Sequence, residues 1–439
     1  MKNHYPLCLI ISLVIWTFAC KEDEPQLDPL TASLVETLNQ ELEPLSDDPI
    51  KWTNDEMQFL DEMSDNDIVA MGEATHGSSE FFKAKHRMIK YLVEKQNFKI
   101  FAIEADFGES MFLNQAVLNS DKDQIGTLMN DKMHFWTWHT EEFRDLLYWM
   151  CDYNLGKPES QKVQYWGIDC QFNTYHPDMV SSFLDTTNLS FISFAEGVLN
   201  EARSASIDRF SAYNQSTFDV YLNKVDALRD SLTKYEADII GAGSNKPYQL
   251  VLQLVDEIKE VSEVMYYTEK QSSKNYRDEY MAKNTGWLRE YFNGAKIVLW
   301  AHNFHVANVA TRGTMGYHLK SDFPGEYATL GFLFSKGSFM AYTQTGGQEY
   351  LKSHSLEDDP KLGSINDVMS RTEVPVFTVE ISDLQNHDEW RQAIQQGIEF
   401  FQMGGIYSNK PSDYYFKFNA DYFDRLIYFD RTTPSLQLK

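Results

Sequence analysis

Short, uninterrupted apolar runs recur along this chain between longer stretches whose apolar residues return every three or four positions. Asp67-Ile68-Val69-Ala70-Met71, Lys99-Ile100-Phe101-Ala102-Ile103, Val163-Gln164-Tyr165-Trp166-Gly167-Ile168 and Lys296-Ile297-Val298-Leu299-Trp300 read as strands. Runs that are apolar on both sides of the pleat, with helices between them, predict a parallel sheet buried on both faces. Residues 327–334 and 338–343 flank Lys336-Gly337 and read as a hairpin about that turn. Residues 376–379 and 426–429 read as late strands of the same sheet. A helix is predicted over residues 31–43, stopped by Pro44. Between the third and fourth runs, residues 171–290 lack strand pattern. Leu250, Leu254, Val255, Ile258, Val261 and Met265 recur there at helical spacing, so the segment reads as a helical insertion, placed to act as a lid or substrate wall. Residues 344–374, polar with Gly and Ser, read as loop. The expected fold class is α/β: a central, mostly parallel sheet flanked by helices, with a large helical insertion.

With 439 residues, 43% of them hydrophobic, the chain can bury a large core. Its 39 basic residues against 65 acidic ones argue against a nucleic-acid partner, which needs a basic footprint. At the N-terminus, Lys2 precedes an apolar run from Pro6 to Ala19, too short for a mature membrane span and suited to a signal sequence. Thr17-Phe18-Ala19-Cys20 resembles a lipobox. Residues 1–20 are therefore expected to be a lipoprotein signal peptide, with Cys20 acylated and 21–30 an acidic tether ahead of one domain over 31–439. The Lys21-Glu22-Asp23-Glu24 stretch resembles a surface-export tag. Together these predict an extracytoplasmic protein, lipid-anchored to the outer membrane. Cys151 and Cys170 read as packing residues, and the spacing leaves open whether they pair.

Ligands of open α/β sheets bind outside the carboxyl ends of the strands. Here each of the four strongest strand candidates runs into polar residues. The first leads into Gly72-Glu73-Ala74-Thr75-His76-Gly77, the second into Glu104 and Asp106, the third into Asp169, and the fourth into His302-Asn303-Phe304-His305. Carboxylates and histidines after all four predict a convergent site. On the helix after the first motif, Lys85 falls on the apolar stripe of Phe81, Met88 and Leu92. A lysine there must either snorkel past the helix end or meet a buried partner, Glu73 or Glu104. Gly-x-Ser-x-Gly, a phosphate-binding loop and His-Glu-x-x-His are all absent. Glu73, His76, His302 and His305 could supply zinc donors, and Cys170 a nucleophile without local pattern. What remains is a histidine general base with carboxylate orienters and cationic groups for an oxyanion.

At these residues the chain resembles the erythromycin esterase family. The likeness runs through Gly72-Glu73-Ala74-Thr75-His76-Gly77, Glu80-Phe81, Glu104, Trp136-Thr137-Trp138, Gly167-Ile168-Asp169, Ala301-His302-Asn303-Phe304-His305 and Phe423-Asp424-Arg425-Leu426-Ile427-Tyr428. The resemblance implies hydrolysis of the macrolactone ester of macrolide antibiotics, without metal or cofactor. It implies His76 as the base, with Glu73, Glu104, His302 and His305 lining the same site. Lys85 stands where the family usually has arginine and keeps the charge without the two-pronged donor. Lys85, His302 or His305 is expected to stabilise the oxyanion. Asp106, Phe107, Trp136, Trp138 and Asp169 are expected around a small-molecule substrate, the aromatics offering apolar surface to a large ring. A metal-dependent hydrolase and a non-catalytic surface lipoprotein that binds glycans or nutrients are the rival readings.

Overall fold

A computed structural model describes residues 27–187, 189–240, 245–345 and 348–438. Its strands, in chain order, are β1 (Glu43–Pro44), β2 (Ile68–Met71), β3 (Ile100–Asp106), β4 (Gln164–Asp169), β5 (Ile297–Trp300), β6 (Tyr327–Thr345), β7 (Gln348–Leu356), β8 (Val376–Glu380), β9 (Glu399–Phe401), β10 (Tyr415–Lys417) and β11 (Arg425–Thr432). Nine of them form one sheet in the order β1-β8-β11-β6-β2-β5-β3-β4, with β7 beside β6; β9 and β10 pair separately. From β11 to β4 every neighbour is parallel. β8 and β1 add an antiparallel edge. The chain is thus an α/β protein with a mostly parallel sheet, as its apolar runs predict.

Alternation along the strands explains why those runs are unbroken. Ile68, Ala70, Ile100, Ala102, Ile297 and Leu299 enter one core, shared with Val198, Leu228, Leu254 and Ile258 from the insertion. Val69, Met71, Phe101, Ile103, Val298 and Trp300 enter the other, against the helices Ser79–Lys95 and Glu141–Asn154. Each strand is covered on both faces, so no position is free to be polar. The described part of residues 171–290 holds helices and no strand. Its last helix, Tyr276–Tyr291, is tied to β4 by Asn284, whose side-chain amide donates to the Ile168 carbonyl at 2.9 Å.

Two sequence expectations give way. Lys336-Gly337 is not a hairpin turn, because β6 runs through it unbroken for 19 residues. Its first half pairs with β2 and β11, and its second half pairs antiparallel with β7. The reading of 344–374 as loop fails for the same reason: β7 and the helix Ile365–Ser370 lie within it. β7 is a polar edge strand and carries no apolar run to betray it. Gly337 is needed for backbone reasons, with φ of +110°. A Cβ there would lie 2.2 Å from the Thr432 carbonyl oxygen of β11. The predicted helix over 31–43 is observed as Pro29–Glu41. Cys151 and Cys170 are both buried and unpaired. The signal sequence, Cys20 and most of the tether lie outside the described residues. No described helix is long and apolar enough to cross a membrane.

Gly337→Ala combines a strained φ with a backbone clash. It should lower the unfolding free energy by about 1–3 kcal/mol, read from chemical denaturation. An unchanged midpoint would mean that β6 and β11 separate easily at this point.

Candidate active site

Strand register places the first residues of the site. Met71 and Ile103 both pair with Trp300 of β5, so β2, β3 and β5 end at one level. Glu73, Glu104 and His302 therefore emerge side by side. The Asn303 amide donates to the Glu73 carbonyl at 2.9 Å and locks the first and fourth motifs together.

Glu73 is fully buried and surrounded by donors. His76 Nδ1 lies 2.6 Å from its Oε1. Lys85 Nζ and Trp300 Nε1 each donate to its Oε2 at 2.6 Å. Burial pushes the Glu73 carboxyl up, but the Lys85 ammonium and the His76 contact outweigh it and hold it at about 2. Of the two sequence readings of Lys85, the buried partner is the one seen. Its side chain is 0% exposed, and its ammonium sits over the Trp300 ring at 4.3 Å. Burial brings Lys85 down to about 8, and Glu73 limits the fall. Sealed behind the carboxylate, Lys85 can hold Glu73 but cannot reach an oxyanion, which corrects that part of its expected role.

His76 keeps 16% of its side chain exposed, and its Nε2 has no hydrogen-bond partner among the described residues. The loop carrying it is pinned from several sides. Thr137 Oγ1 donates to the His76 carbonyl at 2.7 Å. The Gly77 carbonyl accepts from Met340 at 3.0 Å and from Ser435 at 2.9 Å. Glu80 accepts from the Thr433 amide at 2.6 Å and the Thr433 hydroxyl at 2.7 Å, fastening the C-terminal segment over the start of the Ser79–Lys95 helix. Trp136 stands edge-on to Tyr342, ring centroids 5.8 Å apart, and remains partly exposed on this side.

His302 is buried between His76 and His305, with ring centroids 5.1 Å and 6.5 Å away. Its Nδ1 accepts from the Phe304 amide at 3.1 Å, so Nε2–H donates to the Met403 carbonyl at 3.0 Å. Burial, and then the neighbouring His76, lower it to about 3. It is a neutral ring with both nitrogens committed.

Glu104 joins a second cluster. It accepts from the His302 amide at 2.8 Å and from Arg277 Nη2 at 2.7 Å. Arg277 also clamps Asp169 through Nε at 2.9 Å and Nη2 at 2.8 Å. His305 Nδ1 lies 2.9 Å from Asp278, while Nε2 is 3.3 Å from Glu104 and 3.1 Å from Arg277 Nη1. Burial opposes a charge on His305, but Asp278 and Glu104 prevail and raise it to about 10. Both its nitrogens then donate to carboxylates, and the Arg277 contact is a like-charge approach. Glu104, Asp169 and Asp278 together make that approach tolerable.

Arg277 and Asp278 come from the insertion and were not singled out by sequence pattern. One cue was available: Arg277 sits in the first turn of its helix, where a cation opposes the helix dipole. Three other expected site residues lie elsewhere. Phe107 is fully buried against Trp166 and Trp287. Trp138 is core, its indole donating to the Glu104 carbonyl at 3.0 Å. Asp106 is buried and caps the helix Phe107–Leu118. None of the three faces a substrate. Asp169 does meet the site, but through Arg277. Cys170 is buried, and burial raises its thiol well above the usual range, the reverse of an activated nucleophile. The four donors weighed for zinc do not converge, since His302 has no free nitrogen and Glu73 is filled by N–H donors. Among the described residues no group of three or more such side chains is arranged to hold a metal.

The fold and this site define an α/β protein whose carboxylate-held histidine and second, arginine-linked carboxylate meet at the ends of parallel strands. Residues 93–432 match the erythromycin esterase family, and the chain belongs to it. It is 24% identical over 341 residues, covering 70% of this chain and 79% of its relative, to erythromycin esterase type II of Escherichia coli. Among solved structures, a Bacillus cereus protein superposes with a TM-score of 0.81 at 18% identity, covering 93% of this chain and 99% of that one. An erythromycin esterase, EreC, captured as a histidine-to-asparagine mutant in an open conformation, gives 0.67 at 16% identity over 89% of this chain and 97% of that one. The last two likenesses show the fold. Family membership supports ester-hydrolase activity on a small molecule.

Two outcomes test this arrangement. Lys85→Met leaves a fully buried carboxylate without its cation, and should cost about 3–5 kcal/mol of stability. A Tm equal to wild type would contradict the pairing. His305 is raised in the fold above its ordinary 6.5, so the stability it adds is complete below that pH and is lost as pH rises through about 10. The gap in unfolding free energy between wild type and His305→Gln should therefore be widest near pH 6 and should shrink toward pH 10. A gap that grows with pH would reverse the assignment.

Proposed function

We propose that this chain hydrolyses a carboxylic ester with water activated by His76, and that the macrolactone of macrolides such as erythromycin is the ester to try first. The observation that carries the reading is the state of the His76 ring, with one nitrogen held by Glu73 and the other open. Glu73 stays a carboxylate at neutral pH, so Nδ1 carries the proton it receives and the lone pair lies on Nε2. In the reaction Nε2 takes a proton from water, and the water oxygen bonds to the ester carbonyl carbon. Glu73 steadies the imidazolium that forms. As the tetrahedral intermediate collapses, the bond to the alcohol oxygen breaks and the proton on Nε2 passes to that oxygen. Acid and alcohol leave, and a macrolide so opened is inactivated.

Charge for the oxyanion must come from cations that reach the surface. Arg277 and His305 keep 23% and 11% of their side chains exposed, against 0% for Lys85. His302 acts as a spacer that fixes the Met403 loop beside His76. Family membership and the Escherichia coli relative's name support the macrolide class. The lipid anchor at Cys20 and an outer-membrane location belong to the same proposal, and they would place hydrolysis where an antibiotic arrives.

His76→Asn should lower kcat by about a hundredfold or more with little change in Tm. Erythromycin gaining the mass of one water, followed by mass spectrometry, is the assay, with an activated aryl ester alongside. Near-normal turnover by a folded His76→Asn protein would refute the assignment.

A further inference from the structure

A cavity of about 360 Å³ lies between the end of the helix Lys246–Glu269, the loop after it and the turn Ala310–Arg312. Its walls include Tyr267, Tyr276 and Phe304, with Lys274, Arg277 and Arg312. Tyr267 and Tyr276 stack at 4.3 Å and 7°, a rigid aromatic wall. Two of the walls belong also to the reactive cluster. Arg277 holds Glu104, and the Phe304 ring lies 5.3 Å from that of His305. The cavity therefore adjoins the Glu104–His305 cluster through shared residues.

Its charge runs against the rest of the molecule. The chain carries 65 acidic residues against 39 basic, yet three cations and no carboxylate line this cavity. Lys274 is neutralised by Glu279 at 2.6 Å, and Arg277 by Glu104 and Asp169. Arg312 has no carboxylate partner among the described residues. Its guanidinium, exposed at the cavity rim, is free to grip a planar anion with two parallel N–H bonds.

We propose that this cavity selects esters bearing a carboxylate, bound by Arg312, with the adjoining chain or ring against Tyr276 and Phe304. The proposal rests on the ester-hydrolase reading and sharpens its substrate class.

The test compares p-nitrophenyl hemisuberate with its methyl ester, which differs at the far end by one charge. Wild type should favour the hemisuberate by about tenfold in kcat/KM, the scale of one charge-assisted bond, and added salt should shrink that preference. Arg312→Gln should bring the ratio near one, and Arg312→Glu should drive it below one. His76-dependent hydrolysis of both esters without preference, or a preference that survives Arg312→Glu, overturns this inference and leaves the hydrolase reading standing. If neither these esters nor erythromycin is hydrolysed, the hydrolase reading fails instead, and calorimetry with suberate decides the cavity. Binding lost in Arg312→Glu supports it, whereas absent or unchanged binding overturns it.

Discussion

A carboxylate with no exposure to water is the constraint around which this site is built. Glu73 stays charged only because Lys85, His76 and Trp300 supply the donors that water would otherwise provide. Each donor comes from a different element: the Ser79–Lys95 helix, the loop after β2, and the end of β5. The carboxylate thus fixes the angle of the helix against the sheet as well as the orientation of the imidazole. A hydrophobic replacement of the pair could be equally stable, but it would leave His76 without an orienter. The buried ion pair thus does for the histidine what an apolar pair could not.

The second carboxylate extends the same logic across the insertion. Glu104 receives the His302 amide from the sheet side and the Arg277 guanidinium from the helical side. Arg277 then reaches Asp169, so the ends of β3, β4 and β5 are all tied to one helix of the insertion. The insertion is a structural half of the site. It also supplies Asp278, which keeps His305 charged, and most of the walls of the cationic side cavity.

Much of this is legible in the sequence, for definable reasons. Parallel strands covered on both faces must be apolar throughout, so the four central strands stand out, and the polar residues after them mark the site. Lys85 stood out as a charge on an apolar stripe. What the sequence hid was long-range or polar. Arg277 meets Glu104 across 173 positions, in a segment whose helical pattern speaks only of packing. β7 is a polar edge strand without an apolar run. Phe107 and Trp138 look, as letters, like Trp136, and only burial separates a core ring from a rim ring. Gly337 reads as a turn because glycine serves turns and close strand contacts alike, and only the 2.2 Å approach that a Cβ there would make to the Thr432 carbonyl oxygen tells them apart.

The chemistry turns on Glu73 holding His76 with its proton on Nδ1 and its lone pair on Nε2. Nitrogen-15 NMR of the imidazole, with resonances assigned by comparison with His76→Asn, reads this directly at a pH where the ring is neutral. The expected result is a protonated Nδ1 and a bare Nε2 for His76, and loss of that preference in Glu73→Gln. A neutral His76 carrying its proton on Nε2 would contradict it.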